Sequence, residues 1–395
     1  MTRPPDESSP DQDPPQEREA DDSPTFQEEP AAPPPAEEPG WKPPSWSNPQ
    51  MPPPGPARSP GPPFSHLPPP PPVAEQPRPD RDRLSLNLAW EGILAVVATV
   101  LVLATLATTP ERLITSSLDQ IGYLGLTAAA LAFSLRTGSP NLAVGSIVGF
   151  SATLGAYLAT EEDWPRPVAL IVAVGLATIV GFLLGVVVAV LSVPAWAVTL
   201  GAATILQAIS LGIAQYRRIP FDFDSGSPTA LWFGLFTVIS VGGGLLWLIP
   251  AIRRPLSALR SPGEPGDWAG LQPGLAAVVG LTGSGFLAGL AGIALLMRLR
   301  SADILAGENL TVFAFAAVLL GGVSVFGRRA GIFGTFLGVI ILAITQTLLN
   351  YNDVEIWVTR LILGLIIIVG LTATRGLEST TKILNNRRPA LSPPA

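Results

Sequence analysis

Ten long apolar runs fill residues 87–374, at roughly 87–108, 118–136, 140–160, 167–191, 195–214, 231–251, 274–297, 309–326, 330–349 and 355–374. The passage from Asn309 to Gly370 shows the pattern most plainly. Three runs are joined there by two short loops, one basic (Arg328, Arg329) and one acidic (Asn350 to Glu355). Each run is about long enough to cross a hydrocarbon core of ~30 Å. Lipid offers no partner to a bare N–H or C=O, so a spanning segment must bond its own backbone or close into a barrel. Barrel strands would alternate over about ten residues, whereas these runs are continuous. The expected fold is an all-α integral membrane protein with about ten transmembrane helices. Its work is done across a bilayer.

The chain is expected to divide into an acidic, proline-rich cytoplasmic tail over 1–84, a transmembrane domain over 85–376 and a short cytoplasmic tail over 377–395. Residues 1–83 hold 15 acidic and 7 basic residues, net −8, while the rest carries 15 and 17, net +2. The acidic balance therefore belongs to the tail. Runs such as Pro68 to Pro72 cannot bury enough apolar surface to offset ordering entropy, so the tail reads as disordered with polyproline character. Nothing before Leu88 reads as a signal peptide. There is no cysteine, and the single histidine, His66, sits in the tail. Thiolate chemistry is excluded, and metal binding and histidine catalysis have almost no residues to work with. No metal, cofactor or nucleic-acid partner is expected.

Orientation follows from the basic residues. With the N-terminus in the cytoplasm, 13 of them, including Arg136, Arg253, Arg254 and Arg260, fall on inner loops and flanks, against 6 on outer ones. The outer loops gather acids such as Glu161, Glu162, Asp163 and Asp303. Ten spans place both termini inside. The count rests least on the first span, which the fold could dispense with, and on the second, which starts with Asp119 and Gln120. Glycines spaced about four apart (Gly181 and Gly185; Gly285 and Gly289; Gly334 and Gly338) form flat stripes where backbones can approach closely. Static packing and helix sliding both fit such stripes.

The residues narrow the energy source. Ion-coupled carriers place an ionisable group near the midplane despite its desolvation. Here Glu91, Asp119, Arg298 and Arg360 all lie near span ends. No G-x-x-x-x-G-K-[ST] loop is present to cradle nucleotide phosphates, so any ATP hydrolysis falls to a separate polypeptide and the chain itself is not expected to be an enzyme. Residues 252–273 form the longest inner loop between spans, with Arg260, Glu264, Asp267 and Trp268. It reads as a docking loop, against the plainer reading of a charged connection.

Three patches together resemble the permease subunits of bacterial ATP-binding-cassette importers of the ribose and branched-chain amino acid superfamily. RTGSPNLAVGSIVGFSATLGAYL, from Arg136 to Leu158, is similar to the family's glycine turn followed by Asp/Asn-Leu-Ser/Ala-x-Gly. VPAWAVTLGAATILQAISLGI, from Val193 to Ile213, is similar to its P-x-F-I-x-T-L-G segment, and Ala316 to Gly338 resembles its glycine-rich third motif. The likeness covers about 87–375. It implies a bacterial plasma-membrane permease subunit with four kinds of neighbour: the lipid bilayer, cytoplasmic ATPase subunits, a second permease subunit (identical or homologous) and an extracellular solute-binding protein. In the family's inner-loop motif Ala258, Glu264 and Gly270 match, while Pro262, Pro265 and Gly266 depart. A proline inside a helix removes a donor at ~3 kcal/mol, so the coupling helix is expected to be shortened or displaced. Asn141, where ribose-type members commonly have Asp, leans toward amino acid permeases. The other two patches lean toward sugars, and a monosaccharide such as ribose is the preferred solute over a branched-chain amino acid or nucleoside.

Candidate pathway residues are Ser139 and Asn141, beside Pro140, at a break whose helix N-terminus can offer N–H groups to a polar solute. A gate or a plain helix cap fits the same residues. Thr199, Gln207, Thr345 and Gln346 are polar groups inside spans, open to pathway or interhelical roles. The candidate ATPase-docking residues are Ala258, Arg260, Glu264, Asp267, Trp268 and Gly270. An ion-coupled carrier or channel, and a membrane scaffold, are the readings from other classes.

Overall fold

Each of the ten apolar runs contains a helix in the computed structural model, which describes residues 84–222, 228–249, 251, 259, 271–303, 307–324 and 333–386. In chain order they are α1 (Leu84–Thr108), α2 (Glu111–Arg136), α3 (Val144–Thr160), α4 (Arg166–Leu191), α5 (Ala195–Ala214), α6 (Thr229–Leu248), α7 (Gln272–Leu299), α8 (Glu308–Leu320), α9 (Gly334–Tyr351) and α10 (Ile356–Asn386). The expectation of an all-α membrane protein holds: eight of these helices are long and apolar enough to cross a bilayer. The proline-rich tail and the docking-loop residues Ala258, Arg260, Glu264, Asp267, Trp268 and Gly270 lie outside the described residues. The tenth helix continues to Asn386, past the end of its apolar run at 374.

The remaining two helices are short. α3 has 17 residues and α8 has 13, reaching ~26 Å and ~20 Å at 1.5 Å per residue. Both are truncated by their own sequence. Pro140 and Asn141 hold the chain in a turn before α3, and the Gly321-Gly322 pair, with φ of +79° at Gly322, ends α8 in a conformation that favours glycine.

α2, α3, α7 and α8 supply most of the main core, while α1, α4, α5, α6 and α10 present apolar faces outward. The contrast is sharp: 83% of the α2 span is buried, against 11% of the α10 span. Outward residues such as Val96, Ile171, Val190 and Ile368 are suited to lipid, where apolar exposure carries no penalty. Small residues set the tightest contacts. α4 lies along α7 through the predicted stripe, and a Cβ at Gly285 would stand 2.6 Å from the Ala177 carbonyl oxygen. Gly334 and Gly338 bring α9 against Gly321 and Ala317 at the end of α8. At the opposite end of the bundle, Ile219–Pro220 pairs antiparallel with Ser301–Ala302. Arg217 meets Glu161 at 3.2 Å and Arg218 meets Asp303 at 2.6 Å. Exposed pairs of this kind add little stability; the backbone pairing ties the α5–α6 loop to the α7–α8 loop.

Candidate functional site

The turn between α2 and α3 is bonded to several neighbouring helices. Ser139 and Asn141 are both fully buried. Asn141 Oδ1 accepts from the Ala143 N–H at 3.0 Å, and its Nδ2 donates to Ser284 Oγ of α7 at 2.9 Å. The Asn141 N–H donates to Ser134 Oγ at 3.2 Å and the Leu142 N–H to Thr199 Oγ1 of α5 at 3.0 Å. The Gly145 N–H donates to Thr311 Oγ1 of α8 at 3.0 Å. Side chains from three other helices thus engage the free N–H groups that a helix start leaves. Asn141 closes a local turn on the N–H of Ala143, the residue before α3, and Thr199 is fully buried with its hydroxyl on the Leu142 N–H and the Ala195 carbonyl.

This predicts an asymmetry. Asn141→Ala orphans a buried N–H and removes the partner of Ser284, at ~2–4 kcal/mol by the usual penalty for unsatisfied buried groups. Asn141→Asp keeps an acceptor for Ala143, and the Ser284 hydroxyl can turn to donate. Thermal unfolding in detergent should show a clearly lower midpoint for the alanine variant than for the aspartate variant.

Beside this turn lies a cavity of about 420 Å³ lined by Leu142, Ser146, Leu200, Ala203, Gln207, Thr311, Val312, Phe315 and Ile367. Four elements meet there: the start of α3, the α5 face carrying Leu200 and Gln207, α8, and Ile367 of α10. Its floor is polar. Gln207 Nε2 donates to Ser146 Oγ at 3.4 Å, and Thr311 Oγ1 lies over the Leu142 carbonyl at 3.5 Å. Its rim is apolar and open, with Leu200 53% and Val312 46% exposed. Among the described residues, none that lines it is charged.

Of the sequence candidates among the described residues, Gln207 alone lines this cavity. Gln346 of α9 accepts from Gln120 Nε2 of α2 at 2.5 Å, and neither it nor the half-buried Thr345 is among the lining residues. Ser146 and Thr311 are the lining groups the sequence reading passed over. Their signal was available, since both are small hydroxyl residues inside apolar runs. What marks them is packing: Gly145 lets α8 approach so closely that a Cβ there would meet Thr311 Oγ1 at 2.7 Å.

Residues 113–252 and 266–371 match the family model described as branched-chain amino acid transport system / permease component. The chain belongs to this family. This permease is also 27% identical over 275 residues to the ribose import permease protein of Haemophilus influenzae, covering 65% of this chain and 83% of the relative. It is 27% identical over 268 residues to the fructose import permease protein of Rhizobium meliloti (64% and 74%) and 26% identical over 256 residues to the D-allose transport system permease protein of Escherichia coli (62% and 77%). No solved structure matches. The permease is a multi-pass protein of the plasma membrane, as the family and the eight long apolar helices together require.

Proposed function

We propose that this permease forms the translocation pathway of an ATP-driven importer for a monosaccharide, with the α3–α5–α8–α10 cavity as its half of the path. The observation that carries the solute class is the cavity's chemistry. Ser146, Gln207 and Thr311 offer donors and acceptors without charge, as hydroxyl groups require, and no lining side chain among the described residues would pair the two charges of an amino acid. The relatives named for ribose, fructose and allose support the same class.

Ten crossings with both termini inside follow from the basic-residue balance, with α3 and α8 as short, buried crossings. A second permease subunit covers the open rim at Leu200 and Val312 and closes the path. ATPase subunits dock on 252–273 and a solute-binding protein on the opposite side. Nucleotide binding draws the ATPases together, the loop passes that motion to the helices, and access to the cavity switches sides.

The test is uptake of labelled ribose, fructose and allose into vesicles holding the assembled importer. Gln207→Leu is expected to lower uptake about three- to tenfold, the effect of one lost hydrogen bond, with assembly intact. Gln346→Leu removes a partner of Gln120 instead and should act through stability. Unchanged uptake in Gln207→Leu for a transported sugar would remove this cavity from the path.

A further inference from the structure

The end of the bundle where α1 begins, α2 and α8 end and α9 begins holds a cluster that the pathway does not use. α1 lies outside the family match, which starts at residue 113, and most of its length faces outward through Ile93, Val96, Val100 and Leu103. Its other side is a buried stripe through Glu91, Leu94 and Ala98, the last two packed with Ile341 of α9, and at the start of that stripe two adjacent residues find polar partners. Trp90 Nε1 donates to the Leu320 carbonyl at 2.9 Å, the last residue of α8. Glu91, only 4% exposed, accepts from the Phe333 N–H at 3.1 Å and the Gly334 N–H at 3.2 Å, at the start of α9. One α1 turn therefore caps the C-terminus of one helix and the N-terminus of the next.

The chemistry is matched to each end. A helix C-terminus leaves carbonyls and takes a donor; a helix N-terminus leaves N–H groups and takes an acceptor, best an anion. The two ends touch, since a Cβ on Gly321 would lie 2.7 Å from the Thr335 nitrogen. The Trp90 ring covers Gly322, 3.2 Å from where a Cβ would sit. The Arg136 guanidinium of α2 lies within electrostatic reach of Glu91.

We infer that Glu91 and Trp90 are positioning residues for transport, clamping the α8–α9 junction so that the first helix is part of the moving machinery and not a peripheral anchor. The transport half of this inference rests on the importer reading; the clamp itself does not. Its working group is the acceptor on Glu91, with the Arg136 pairing secondary. That separates it from a simple ion pair, because an arginine at 91 cannot accept from the Phe333 and Gly334 N–H groups.

The absence of cysteine from the chain makes the test direct. A single Ser324→Cys, at a fully buried position just past α8, reports opening of the junction through its rate of N-ethylmaleimide labelling in membranes. Ser151→Cys, buried on α3, reports the fold elsewhere. Losing the buried acceptor in Glu91→Leu should raise labelling at 324 about tenfold and leave 151 protected. Glu91→Gln, which keeps an acceptor, should stay within about twofold of the parent. The swap Glu91→Arg with Arg136→Glu should behave as Glu91→Leu does, and uptake should fall in step with labelling. Trp90→Phe, which removes only the N–H, should raise labelling about threefold and carries the test if Glu91→Leu exposes 151 too. Unchanged labelling in Glu91→Leu and Trp90→Phe, or restoration by the charge swap, would overturn the clamp. Altered labelling with undiminished uptake would overturn its role in transport. A parent chain that labels as described but transports no sugar would count against the importer reading alone.

Discussion

Gly145→Leu is expected to abolish uptake and to lower the unfolding midpoint more than any other single change in the pathway half of the bundle. A side chain there collides with the Gly307 carbonyl and stands 2.7 Å from Thr311 Oγ1 and 2.9 Å from the Thr311 nitrogen. Two of the three obstacles are backbone, so relief requires α3 and α8 to part. Overpacking of this kind costs ~1–3 kcal/mol when side chains can yield, and more when the backbone must. Separation would also break the Gly145 N–H to Thr311 bond and spill the floor of the cavity. Gly145→Ala should show the same direction at smaller size. Gly175, on the lipid-facing side of α4, is the matched comparison, because a Cβ there would meet nothing within 4 Å. Gly175→Leu should leave both uptake and midpoint near the parent values.

Replacing residues 258–270 with a Gly/Ser linker of equal length should reduce uptake to background with little change in thermal midpoint. The expectation rests on the proposal that Arg260, Glu264, Asp267 and Trp268 serve to dock the ATPase. The proline-interrupted sequence, with Pro262 and Pro265 where the family pattern has helix-compatible residues, predicts a further detail. Restoring Asn at 262 and Ala at 265 should lengthen the coupling helix, since each proline removed from a helix interior is worth ~3 kcal/mol to it. Stimulation of ATP hydrolysis by solute, compared across the three versions, measures the effect.

The helices were legible in the sequence because lipid leaves a spanning segment few choices. Each apolar run holds a helix among the described residues, with ends displaced by up to twelve residues, and the glycine stripes on α4 and α7 meet as their spacing suggested. The site was less legible. Periodicity describes one helix at a time, whereas the fate of Asn141 was decided by Ser284, 143 residues away, and that of Gln346 by Gln120, 226 residues away. Glu91 illustrates the same limit. Near a span end, a carboxylate ordinarily reaches for the interface; this one turns inward because the start of α9 offers it two N–H donors. The short lengths of α3 and α8 were hidden for a related reason, since the apolar runs continue through turns that are buried in protein. Non-helical backbone is tolerated at such depth only where neighbours bond it, and Thr199, Ser134 and Thr311 do so.

The central claim is that this permease works through an ATPase on another polypeptide. Purifying the chain through a C-terminal tag in mild detergent, with mass spectrometry of what accompanies it, tests that most directly. The expected result is stoichiometric recovery of a protein carrying a Walker motif, lost when 258–270 is replaced by the linker. A stable oligomer with no ATPase, under conditions that keep a known importer whole, would contradict the account and point to an autonomous carrier or channel.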